Sequence, residues 1–157
     1  MATFTATRAA STFPVFQPGG GQLAVAYGTI AVAANPVAAD VYQMCRVPAG
    51  AIVTGGHFYS ADLDTNATET LDLDVGYAAN GTDAADPDAF GNFGVMGTDT
   101  VAGIKAESGY YFSLGGVLIT GGPKLLSAET IITVTCVATA ATFAAGNMSV
   151  VVYYMVP

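Results

Sequence analysis

Carboxylates are the richest chemical resource in this sequence. Asp62, Asp64 and Glu69 fall in one predicted turn, Asp72 and Asp74 share the face of one predicted strand, and Asp83, Asp86 and Asp88 crowd a longer connection. Calcium takes about six to eight oxygen ligands, and a dense aspartate loop can supply them. The spacing here departs from the D-x-[DN]-x-[DN]-G pattern, so these acids read as a solvated edge, or as a surface that meets basic groups on a partner. His57 is the single imidazole, and Cys45 and Cys136 are the only thiols, which is too little for a zinc site built by the protein. No G-x-S-x-G elbow and no cysteine-nucleophile signature surrounds a candidate nucleophile. The glycine pairs lack the lysine and helix of a phosphate loop. The sequence therefore predicts no catalytic residues, no cofactor-binding residues and no metal ligands.

Aromatic side chains point to contact rather than chemistry. Eight tyrosines and eight phenylalanines occur without tryptophan, and Tyr110-Tyr111-Phe112 and Tyr153-Tyr154 put rings on both faces of a strand. In a lone sandwich one strand face meets water, so a ring there is either exposed or covered by another subunit, as in obligate interfaces. The contact residues expected from the sequence are Phe4, Phe13 and Phe16, then Asp86, Asp88 and Phe90 of the long connection, with Tyr110 and Tyr111.

These residues need elements to position them. Residues 1–21 read as an extended N-terminal arm, because Pro14, Pro18 and the Gly19-Gly20-Gly21 run forbid a helix there. Residues 22–157 read as a β-sandwich domain. Predicted strands cover Gln22 to Ala33, Asp40 to Val47, Ala51 to Leu63, Thr70 to Tyr77, Gly103 to Leu114, Val117 to Thr120, Thr130 to Ala138 and Met148 to Val156. The clearest alternation sets Leu71, Leu73 and Val75 against Asp72 and Asp74. About eight strands, with turn signals between them, predict an all-β, antiparallel, jelly-roll-like sandwich. Ala78 to Asp99 reads as one long loop, with a helical turn or two expected over Asp83 to Phe90. Cys45 and Cys136 read as buried thiols, with a cross-strand disulfide open if their strands are neighbours.

Composition removes several functions. Four basic residues against twelve acidic ones give a net charge of −8, which cannot form the cationic footprint of a nucleic-acid binder. A hydrophobic content of 52% is incompatible with disorder. No stretch approaches the roughly 20 apolar residues of a membrane span, and residues 1–11 do not have the pattern of a secretory signal.

A family resemblance rests on particular stretches. Val47-Pro48-Ala49-Gly50-Ala51-Ile52-Val53, Asp62-Leu63-Asp64-Thr65-Asn66, Leu73-Asp74-Val75-Gly76-Tyr77 and Asp86-Pro87-Asp88-Ala89-Phe90 resemble a pattern of small structural proteins of tailed bacteriophages. It covers about Asp40 to Phe90, a third of the chain, and its motifs are structural. Such proteins are similar to head decoration, or capsid cement, proteins. The resemblance implies a non-enzymatic protein on the capsid exterior, assembled in the host cytoplasm, that bridges major capsid subunits and works with copies of itself, commonly as a homotrimer. It implies no nucleic-acid partner and no membrane. The alternative is a receptor- or glycan-binding component of a head or tail fibre.

Overall fold

The computed structural model describes residues 1–97, 104–106 and 109–157, the side chains of 104–106 excepted. Eleven strands lie among them: β1 (Thr3–Thr5), β2 (Leu23–Val32), β3 (Val41–Val47), β4 (Ile52–Ala61), β5 (Asp72–Tyr77), β6 (Asp86–Val95), β7 (Ile104–Ala106), β8 (Gly109–Ser113), β9 (Lys124–Leu125), β10 (Thr130–Ala138) and β11 (Gly146–Met155). One sheet has the order β1-β3-β10-β5-β6; the other runs β2-β11-β4-β8-β7, with β9 paired to β4. Apart from β1, which runs parallel to β3, all pairs are antiparallel.

Period-2 patterning explains this arrangement. At the heart of the second sheet β11 buries Met148, Val150, Val152 and Tyr154, and turns Ser149, Val151 and Tyr153 outward. Its pairing with β2 is unbroken from Gly146↔Val32 to Met155↔Leu23. In the first sheet β10 buries Ile132, Val134 and Cys136 against Leu73 and Val75 of β5. The two inner faces close into one core, as a sandwich requires.

Five sequence expectations need correction. The single strand expected over Gly103 to Leu114 is two, β7 and β8, paired antiparallel, with residues 103 and 107–108 outside the described ones. Ala78 to Asp99 is not one loop, because β6 occupies its second half and pairs with β5. The ladder is broken twice, between Asp72 and Asp74 and between Val75 and Tyr77, and Gly91 and Gly94 interrupt the alternation that would have announced a strand. No helical turn forms over Asp83 to Phe90. Pro87 instead lies in β6, an edge strand of its sheet, where a missing N–H does no harm. Val117–Thr120 is a single α-helical turn rather than a strand; Gly116 before it takes φ 56° and ψ −120°, which turns the chain away from the sheet. Asp64 is no solvated acid. It is buried, and Oδ2 accepts from the N–H of Thr70 (2.8 Å), Leu71 (3.2 Å) and Ala141 (2.9 Å), while Oδ1 accepts from Thr142 (2.9 Å) and Asn66 (3.3 Å).

The cysteine question closes on register. β3 and β10 are neighbours, but Cys45 faces Ile132, four positions from Cys136. Four residues of strand span roughly 13 Å, about twice the Cα separation a disulfide tolerates. Both thiols are free and buried, and burial pushes Cys45 up to about 12 and Cys136 up to about 11.

Candidate functional site

The N-terminal segment is fastened to its own sandwich by backbone. β1 pairs with β3, the Ala2 N–H donates to Asp40 Oδ1 at 2.6 Å, and a 3-10 turn follows at Thr7–Ala9. Two arginines hold the rest. The Arg8 guanidinium lies 3.8 Å from the Tyr27 ring centroid and 4.8 Å from that of Phe13. Arg46 donates to the carbonyls of Ala10, Ser11 and Phe13 and pairs with Glu129. The Tyr154 hydroxyl donates to the Phe16 carbonyl at 2.9 Å. The main chain is thus held while some rings are left out. Phe4 stacks on Tyr42 at 4.8 Å yet stays 40% exposed, Phe13 is half-buried, and Phe16 is 62% exposed.

The acidic candidates form a strip along β5 and β6. Asp88 is exposed and Asp86 half-buried; burial, then a hydrogen bond that the protonated Asp86 carboxyl donates to Asp88, raise the Asp86 pKa. Asp74 is buried, and burial, then the charges of Asp72 and Asp88, push it up to about 6. Beside this strip a groove of about 520 Å³ is lined by Asp86, Asp88, Phe93, Val117, Ile119 and Thr120, with Ile119 standing out of the helical turn. Phe90 does not belong to this surface. It is fully buried and packs on Tyr77 at 5.8 Å, because β6 turns it inward. Among the described residues no three His, Cys, Asp or Glu side chains gather to hold a metal ion.

The tyrosine pair splits. Tyr110 is buried, and its hydroxyl donates to the Glu69 carboxylate at 2.6 Å, so it braces the fold and offers nothing to a partner. Tyr111 points the other way, within hydrogen-bond distance (2.6 Å) of His57 Nδ1, on the outer face of the second sheet. There His57, Tyr59, Tyr111 and Tyr153 form an aromatic plate with ring centroids 5.1–5.4 Å apart for three of the pairs. The contact between Tyr111 and His57 Nδ1 fixes the orientation of both rings on this face.

Sequence reasoning missed the exposed row on β2. Leu23, Val25 and Tyr27 face outward, while Ala24, Ala26 and Gly28 face the core. Alternation was plain in the sequence, but hydrophobicity alone assigns the larger residues to the inside. Packing reverses that assignment: a Cβ on Gly28 would lie 1.8 Å from the Met44 carbonyl oxygen, so β2 lies too close to β3 for large inward side chains.

No protein-family model matches the chain, and no curated protein does. Solved structures do match. A chain of the cyanophage Pam1 capsid asymmetric unit is 30% identical over 94% of this chain and 96% of its own, with a TM-score of 0.64. The chain belongs to a family of bacteriophage virion structural proteins. At lower identity the fold alone is shared. A chain from the capsid of Ralstonia phage GP4 is 17% identical with a TM-score of 0.77, each chain covering 99% of the other. Another, from the acidic stable capsid structure of Helicobacter pylori bacteriophage KHP30, is 14% identical with a TM-score of 0.60, over 88% of this chain and 91% of that one. The fold leaves open at the surface the rings of Phe4 and Phe16, the groove beside Asp86 and Asp88, and the outer face that carries Tyr111. No helix among the described residues is long and apolar enough to cross a membrane.

Proposed function

We propose that this protein is a non-enzymatic capsid decoration, or cement, protein that sits on the outside of the shell and stabilises it by bridging major capsid subunits, working with copies of itself as a homotrimer. The observation that carries this reading is likeness over nearly the whole chain to a component of a capsid asymmetric unit, in a body that needs no chemistry. Three physical features support it. An arm whose main chain is tied down while Phe16 stands in solvent presents an apolar anchor at low entropic cost. A symmetric lattice multiplies weak contacts, so each copy can bind modestly and the array tightly. A net charge of −8 suits exposure on the particle and opposes contact with packaged DNA.

The test is a Phe4→Ala/Phe16→Ala variant added to capsids that lack the protein. Both rings are partly or mostly outside, so the fold should survive, and occupancy at a fixed concentration should fall at least ~10-fold. Unchanged occupancy by a folded variant would count against the arm as the anchor. A second reading, a receptor- or glycan-binding fibre component, is favoured by the Tyr59–Tyr111–His57 plate, since sugars stack on such rings. Glycan binding by wild type that Tyr111→Ala abolishes would establish it.

A further inference from the structure

The outer face of the second sheet leaves a row of large apolar side chains open. It begins at β2 with Leu23 (64% exposed), Val25 (48%) and Tyr27 (45%), crosses Val151 and Tyr153 of β11, and ends on Tyr59 (41%) of β4 and Tyr111 of β8. Phe16 shares a small hollow with Val25 and Tyr27 and extends the row at its edge. Together these side chains expose on the order of 500 Å² of apolar surface, near the upper limit for a contiguous patch on a monomer. A standard interface buries about 800 Å² on each partner, of which roughly 65% is apolar at the core and in homodimers, so the patch has the size of one complete half-interface.

Charge says what covers it. β2, β4, β8 and β11 carry no Asp or Glu at all, although the chain holds twelve acids. The acids lie instead on β5 and β6, in the loops and in the remaining segments. Two copies of a chain with net charge −8 repel each other across most orientations. Across this face they bring no carboxylates together, and Arg8, the cation at its β2 edge, is already seated on Tyr27.

From this geometry we infer that the outer face of the β2-β11-β4-β8 sheet is covered by a second copy of this chain. The inference rests on the reading of the protein as a structural component that works with its own copies, and it names the surface they use. A twofold pair would set the face against itself. A threefold ring would set the Leu23–Tyr27 edge of one copy against the Tyr59–Tyr111 half of the next. In both arrangements the strands that meet carry no carboxylate.

Sedimentation equilibrium of the full chain tests this. Wild type should be oligomeric at micromolar concentration, and Leu23→Asp/Val25→Asp should self-associate roughly 100-fold more weakly or not at all, because its carboxylates would be buried without partners. Val137→Asp, which changes an equally open residue of the other sheet, should match wild type. If the double variant does not fold, by circular dichroism, Val25→Cys gives an independent readout, since the native thiols are buried and only the new one can react. Its alkylation should be slow in the oligomer and fast on dilution. A monomeric wild type, an unweakened double variant that is folded, or rapid alkylation of the introduced thiol within the oligomer would each overturn the inference. The decoration reading fails separately: an oligomer that ignores capsids defeats that reading and leaves this surface standing, whereas a monomer that still decorates capsids does the reverse.

Discussion

Replacing Asp64 by asparagine should be the most damaging single-atom exchange in this fold. Burial alone would raise the Asp64 pKa, but backbone N–H donation from Thr70, Thr142, Ala141 and Asn66 outweighs it and lowers the value from 3.8 to about 2. A carboxyl held that low in the folded state contributes about 2.5 kcal/mol at neutral pH. An amide in its place loses that term and also turns an NH₂ toward backbone donors, which costs about another 1–2 kcal/mol. The expected loss is about 4 kcal/mol, or a fall of roughly 10 °C in Tm for a chain of this size. The sign with pH follows from the lowered pKa: the contribution is full above 3.8 and disappears as pH falls through about 2. Urea unfolding of wild type and Asp64→Asn across this range is the assay. The gap should be widest near neutrality and narrow steadily in acid. A gap under about 1 kcal/mol at pH 7, or one that does not change with pH, would refute the claim that a charged Asp64 clamps these loops.

Two further outcomes follow from the same physical chemistry. Asp74 is raised to about 6 by burial and by Asp72 and Asp88, so its charged form opposes folding; the relative stability is full below 3.8 and is lost as pH rises through about 6. Asp74→Asn should therefore stabilise the protein at pH 8, by about 3 kcal/mol, with little effect near pH 4, and a destabilised variant at pH 8 would contradict this in thermal melts. Cys45 and Cys136 should resist both a thiol reagent and an oxidant until the chain unfolds, because both are buried and their register forbids pairing. Mass spectrometry that finds either one modified in the native protein would refute that.

The sandwich was legible in the sequence wherever alternation was clean. The segments around β3, β4, β5, β10 and β11 announced themselves by β-branched and aromatic residues with period 2, and the structure places strands there. β6 was not legible, because two register breaks, Pro87 and several glycines erase its period. The helical turn at Val117–Thr120 has strand-like composition and is dictated by the glycines that flank it. Of the contact candidates, Phe4, Phe16, Asp88 and Tyr111 lie at the surface, whereas Phe90 and Tyr110 face inward. Adjacent aromatics on a strand must point to opposite faces, and a single sequence does not say which of them meets the core. The same ambiguity concealed the outward row of β2, which depends on the distance between two sheets rather than on residue type.

The most direct measurement is a titration of the purified chain onto shells built from the major capsid protein alone, imaged by electron cryo-microscopy with symmetry averaging. Discrete, saturable density on the outer surface between neighbouring capsid subunits, with higher heat resistance of the decorated shells, is the result this account predicts. Density on the inner surface, or shells that remain bare and equally heat-labile at saturating protein, would contradict it.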